Sequence, residues 1–211
     1  MNSTALFPLA AAAPSVSVPQ TTGPAPKVIG LDVAMSITGI AGEGWTDHVK
    51  AIGEGQHPRF EQQLTGIADH TRHADFVVIE GAAYGHNNQG ADALAAMRWM
   101  VRHDLWKRRI PYAVVTPGQR MIYAVGSAAP TDPDTGKRLK GAALKGALRD
   151  AVASTYGITT EGEARYDEAD AYVLMAMGLH WLGHPLAVVP DTHRRALDSV
   201  RWPSRGAVTA R

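Results

Sequence analysis

Short, dense apolar runs alternate with turn residues through the first half of the chain, and two of them end on a carboxylate. Residues 27–32, with Val28, Ile29 and Leu31 ahead of Asp32, read as a buried strand; residues 36–41, with Ile37 and Ile40, read as its hairpin partner. A third strand is expected over 45–52. Residues 59–73 switch to helical spacing, with Phe60, Leu64, Ile67 and Ala68 on one side. The run 75–80 (Phe76, Val77, Val78, Ile79) is again a strand, ending at Glu80, and runs this dense suit strands covered on both faces.

Beyond Glu80 the pattern becomes helical. A Gly- and Asn-rich loop over 81–90 leads into a long helix over 91–109, ended by Pro111. Residues 112–115 are a further core strand, stopped at Thr116-Pro117-Gly118 ahead of a short helix. An exposed loop is expected over 127–141, where Pro130, Pro133 and Gly136 fall, followed by helices over 142–156 and 166–182. Pro185, Pro190 and Pro203 predict an irregular, Arg-containing tail over 186–211. A meander followed by alternating helix and strand predicts an α/β domain: a mixed five-stranded sheet flanked by helices, over 27–185.

Composition narrows this picture. A chain of 211 residues, 45% hydrophobic and 19% charged, suits one domain with a substantial core. The Ala-, Pro- and Ser-rich residues 1–26 read as a disordered leader rather than a signal peptide, since no basic residues precede the apolar stretch and Pro8 interrupts it. No segment approaches the roughly 20 apolar residues that span a bilayer, so a soluble, cytoplasmic protein is expected. Without cysteine, thiolate metal sites, disulfides and cysteine nucleophiles are excluded. Net charge is only +1, but residues 98–149 carry eleven Lys/Arg against three Asp/Glu. Such a segment fits a polyanion such as nucleic acid, or a solvated helix face.

Four acids stand out by position. Asp32 and Glu80 close two apolar strands, and open α/β sheets place ligands at the carboxyl ends of strands. Asp167 and Asp170 are three apart on a helix whose Ala171, Leu174, Met175 and Gly178 face inward, so both share one face. Converging carboxylates repel unless a cation sits among them, and hard oxygen donors favour Mg2+, or Mn2+ in its place. Two such ions, roughly 3.5–4 Å apart, activate water and stabilise the leaving oxygen of a phosphodiester. Taken singly, such acids are more often turn residues or helix N-terminal charges.

The segments Ile29-Gly30-Leu31-Asp32 with Thr38-Gly39, Val78-Ile79-Glu80, and Asp167-Glu168-Ala169-Asp170-Ala171, in this order, resemble the acidic motifs of RuvC-type Holliday junction resolvases. Asn87 and Asn88 ahead of the Ala91-Asp92-Ala93-Leu94 helix, and Thr116-Pro117-Gly118-Gln119 with Ala124-Val125-Gly126, extend the resemblance over about 27–185. It implies a ribonuclease H-like fold and a homodimer that cuts four-way or other branched DNA, with Asp32, Glu80, Asp167 and Asp170 holding magnesium. Glu168 lies about 100° round the helix from Asp167 and is assigned to the surroundings of the site or to solvent. The DNA-contacting lysine of the family falls on Lys145; a second has no counterpart, with Arg120 one position away. Where the family carries a wedge aromatic this chain has Ala83, with Tyr84 next. The 127–141 loop is longer than usual and offers Lys137, Arg138 and Lys140 to DNA.

Other features carry less. His180 and His184 have a zinc-compatible spacing but lack the glutamate of a hydrolytic motif. His86, in the loop after Glu80, is a possible proton shuttle or a plain loop residue. Trp99, Met100 and Trp106 make the long helix either core or subunit interface. Actin-like ATPases and sugar kinases share Gly-x-Asp, but they need a second domain. The alternatives to a junction resolvase are a broader flap or fork nuclease and a non-catalytic binder of branched DNA.

Overall fold

In the computed structural model, which describes residues 25–82 and 90–209, five strands form one sheet: β1 (Val28–Asp32), β2 (Ile37–Gly42), β3 (Trp45–Lys50), β4 (Phe76–Glu80) and β5 (Tyr112–Val115). Their order is β3-β2-β1-β4-β5; β1 pairs antiparallel with β2 and β2 with β3, whereas β4 runs parallel to both β1 and β5. The expected mixed, five-stranded sheet is therefore present. Every residue of β1 and β4 is buried, as their unbroken apolar runs require, while edge strand β3 alternates between exposed and half-buried positions.

Helices cover both faces. On one lie α1 (Gln56–His70) and α2 (Ala91–Lys107), enclosing Ile29, Leu31, Ile67, Ile79, Met97 and Leu105. On the other lie α3 (Pro117–Val125), α4 (Gly141–Tyr156) and α5 (Arg165–Leu182) over Val28, Phe76, Val78, Leu148, Leu174 and Met175. Helix α5 is apolar nearly all round because it is sandwiched between the sheet and its neighbours. It also lies unusually close to the strands. A Cβ on Gly30 would overlap the Ala171 carbonyl and come within 2.7 Å of the Met175 nitrogen, and one on Gly39 would overlap the Asp167 carbonyl. Glycine at these two positions is what lets the helix backbone touch the sheet.

Most boundaries shift by only a few residues from the sequence reading. Helix α1 starts at Gln56 instead of 59, and β3 ends at Lys50 instead of 52. Helix α2 stops at Lys107, two residues short of the expected end, and Arg109 takes a left-handed turn (φ 59°) toward β5. Helix α3 begins at a capping box: Gln119 N donates to Thr116 Oγ1 (3.3 Å) and Thr116 N donates to Gln119 Oε1 (2.8 Å).

The segment beyond residue 185 is more ordered than its prolines suggest. It forms α6 (Asp191–Arg194), a 3-10 turn at Leu197–Ser199 and α7 (Arg205–Thr209). Leu197, Val200 and Val208 are buried in the α5 core. Trp202 stacks on Trp181 (centroids 5.0 Å apart, planes 8° apart), and Gln119 Nε2 donates to the Ser199 carbonyl at 2.8 Å. Aromatic burial outweighs the chain-breaking residues here. The expected leader falls almost wholly outside the described residues, as do Ala83, Tyr84, His86, Asn87 and Asn88.

Candidate active site

Strand geometry brings the first two acids together. Leu31 pairs with Ile79 in the parallel β1–β4 ladder, so Asp32 and Glu80 are the next residues along at the same end of neighbouring strands. Side chains alternate, so Asp32 points the same way as Val28 and Gly30, and Glu80 the same way as Phe76 and Val78. Val28, Phe76 and Val78 belong to the core under α5. Both carboxylates therefore face the helix whose first turns carry Asp167 and Asp170.

Asp32, Glu80 and Asp170 are buried, and Asp167 is half-buried. Burial, and then repulsion from Glu80, holds the Asp32 carboxyl well above the usual carboxylate range, with Arg120 and Arg98 pulling in the opposite direction. Asp167 is also shifted up, by burial and then by the charge of Asp32, against the pull of Lys145 and Arg120.

Arg120 comes from the first turn of α3 and is buried at 8% exposure. Its Nη2 lies 3.0 Å from Glu80 Oε1, and its Nη1 contacts Asp170 Oδ2. Arg98 of α2 adds a longer contact, Nη2 to Glu80 Oε2 at 3.9 Å. The resemblance leaves Arg120 one position from a DNA-contacting lysine of the family; in the structure the capping box sets α3 so that Arg120 is buried on the same helix as Met121 and Tyr123. Arg98 was not anticipated at all. Its only signal is a basic residue on the helix that returns after the Glu80 loop.

Lys145, which the resemblance offers to DNA, lies close to the acids. It is exposed on α4, its Nζ lies 5.5 Å from the centre of the Tyr166 ring, and it shares with Arg120 and Asp170 the lining of a cavity of about 220 Å³. Lys137, Arg138 and Lys140 are exposed on a tight hairpin, closed by the Thr131–Arg138 bridge and by an Asp132 side chain that accepts from the Thr135 backbone at 2.7 Å. Glu168 is turned away from the other acids, as its position round the helix requires. It is buried against β3, accepting from Thr46 Oγ1 at 2.9 Å and lying 2.8 Å from His48 Nδ1. His180 Nδ1 is 3.0 Å from the Tyr123 hydroxyl, and burial shifts its pKa down.

The donors fit a hard divalent cation by type, being carboxylate oxygens with Glu80 Oε1 buried and lacking a well-aligned hydrogen bond. Among the described residues, however, no three acid or imidazole side chains close tightly enough on one point to chelate an ion. Between Glu80 and Asp170 stands the Arg120 guanidinium.

The upward shift of Asp32 has a measurable consequence. In the unfolded chain this group ionises near its usual value of about 4. The folded protein resists that ionisation, so as pH rises above this value Asp32 progressively destabilises the fold. The stability of Asp32→Asn relative to the parent, measured by urea unfolding in EDTA, should therefore increase from pH 4 to pH 7. A difference that stays constant across this range would rule out the buried, mutually repelling pair.

A five-stranded mixed sheet in this order, with helices on both faces, is the ribonuclease H-like α/β fold. Within that class the fold is similar to that of RuvC: the structure of Thermus thermophilus RuvC aligns with a TM-score of 0.53 at 15% identity, covering 78% of this chain and 99% of that one. The structure of T. thermophilus RuvC in complex with Holliday junction substrate aligns with a TM-score of 0.50 at 12% identity, with the same coverage. No protein-family model matches the sequence, and no curated protein matches it. Among the described residues, no helix is long and apolar enough to cross a membrane.

Proposed function

We propose that this protein is a metal-dependent endonuclease that hydrolyses phosphodiesters in branched DNA, with four-way junctions as its principal substrate. The observation that carries this reading is the convergence of Asp32 and Glu80, from adjacent parallel strands, on the face covered by the Asp167–Asp170 turn of α5. The RuvC-like fold supports it. Asp32, Glu80, Asp167 and Asp170 would hold Mg2+ or Mn2+. When bound, the metal would activate water and stabilise the departing oxygen. The protein's own part is to fix the carboxylates on rigid elements and to grip the DNA backbone. Lys145 lies beside the acids, and Lys137, Arg138 and Lys140 project from the neighbouring hairpin.

The direct test is incubation of purified protein with a four-way junction in Mg2+ and in EDTA. Cleavage confined to Mg2+ is expected; an intact junction in both arms would overturn the assignment and favour a non-catalytic binder. Flap, fork and linear duplex substrates in the same assay separate a junction resolvase from a broader nuclease. For the hairpin, replacing Lys137, Arg138 and Lys140 together by alanine should weaken junction binding and reduce the salt dependence of log K by up to about 3. An unchanged salt slope, measured by fluorescence anisotropy, would remove the hairpin from the interface.

The same reading includes a two-fold dimer. Trp99 and Trp106, 63% and 69% exposed, lie two turns apart on α2, and Trp99 lines a cavity of about 580 Å³ together with Leu64, Ala68, Met100 and His103. Large exposed aromatics on one stripe are characteristic of a contact surface, and the two nicks of a symmetric junction call for paired sites. Sedimentation should show a dimer, and Trp99→Glu with Trp106→Glu a monomer. A monomeric parent would discard this element.

A further inference from the structure

Among the described residues, Arg120 is a buried charge that is paired on two sides yet poorly hydrogen-bonded. Its guanidinium bridges a carboxylate of the sheet, Glu80, and one of α5, Asp170. Buried arginines normally use their planar fork for paired, well-aligned hydrogen bonds. Here Nε and Nη1 of Arg120 and Oε1 of Glu80 are all buried without a hydrogen bond of proper geometry. The contact neutralises charge but leaves donors unsatisfied, an arrangement that costs free energy unless something better replaces it.

We infer that Arg120 is a built-in counter-cation that competes with the divalent ion for Glu80 and Asp170, so that loading of the ion expels the guanidinium from the acid cluster. This inference rests on the metal reading of the four acids. An ion joining sheet to helix needs the same oxygens that Arg120 now occupies, and two cations sharing them would repel strongly at low local dielectric. The side chain also has somewhere to go. The cavity of about 220 Å³ beside it is lined by Pro117, Gly118, Ala128, Leu144 and Lys145. In the ion-free protein Arg120 keeps four acids from forcing the strands and α5 apart; when the ion enters, that task passes to the metal. The apparent ion affinity is then reduced by the fraction of molecules in which the guanidinium is seated.

Calorimetric titration of the full chain with MnCl2, without DNA, reads this directly. Arg120→Met removes the competitor while keeping an unbranched, buried side chain, and it should bind Mn2+ about tenfold more tightly than the parent. Arg120→Lys keeps the charge but loses the fork, and should tighten binding by about threefold. In EDTA, Arg120→Met should melt below the parent, and added Mn2+ should close that gap. Equal or weaker Mn2+ binding by Arg120→Met overturns the inference, since it would make Arg120 an organiser of the acids. If Arg120→Met does not fold, unchanged or weakened binding by Arg120→Lys overturns it alone. A folded parent that binds no Mn2+ overturns the metal reading itself, a result distinct from binding that is merely insensitive to residue 120.

Discussion

Asp32→Asn should abolish junction cleavage while leaving junction binding intact. The substitution keeps the shape of the side chain but removes a charge that sits at the end of β1, next to Glu80. If Asp32 helps hold the proposed metal, worth several kcal/mol of transition-state stabilisation, its loss should cost on the order of 10³-fold in rate. Two further effects make the experiment discriminating. Burial and Glu80 both oppose ionisation of Asp32, so the variant should be at least as stable as the parent in EDTA at neutral pH. The DNA contacts proposed for Lys145 and the 127–141 hairpin are untouched, so anisotropy with a labelled junction should give a parental Kd. Undiminished cleavage by the variant would refute the site; lost binding with lost stability would indicate a purely structural acid.

Gly30→Val should severely destabilise the fold. Its β-carbon would meet the Ala171 carbonyl and the Met175 nitrogen, both backbone atoms of a buried helix that cannot step aside like a flexible side chain. Overpacking at such a place costs about 3 kcal/mol or more, a large share of the stability of an ordinary domain. Urea unfolding should show this as a lowered midpoint. Gly146 of α4 is the matched control, because a Cβ there meets nothing within 4 Å and alanine is the better helix former. Gly146→Ala should therefore be neutral or slightly stabilising. If Gly30→Val matched it, the close approach of α5 to β1 would be wrong.

Strand-end acids and the helix pair were legible in the sequence because they follow from local periodicity. Dense apolar runs locate β1 and β4, period-two alternation decides which side Asp32 and Glu80 face, and i, i+3 spacing puts Asp167 and Asp170 together. Glu168 was excluded on the same geometric ground, and its partners prove to be Thr46 and His48 across on β3. The sequence reading failed where position depends on contacts between distant elements. Arg120 reads as one more cation in a basic stretch; only the meeting of α3 with β4 and α5 turns it inward. The tail fails for the same reason, since three prolines advertise irregularity while Trp202 finds Trp181 only once α5 is in place. Tyr84, the aromatic next to the place of the family's wedge, lies outside the described residues.

The burial of α5 on all sides ties the fate of Asp170 to that of the whole domain. A helix enclosed in this way has no separate opening motion, so its amides from Ala171 to Leu179 should exchange with deuterium only through global unfolding. Asp32 and Glu80 sit on central strands that share that core. Heat or denaturant should therefore disperse the acid cluster and melt the molecule in one concerted transition, so that the proposed cleavage activity is lost together with the fold.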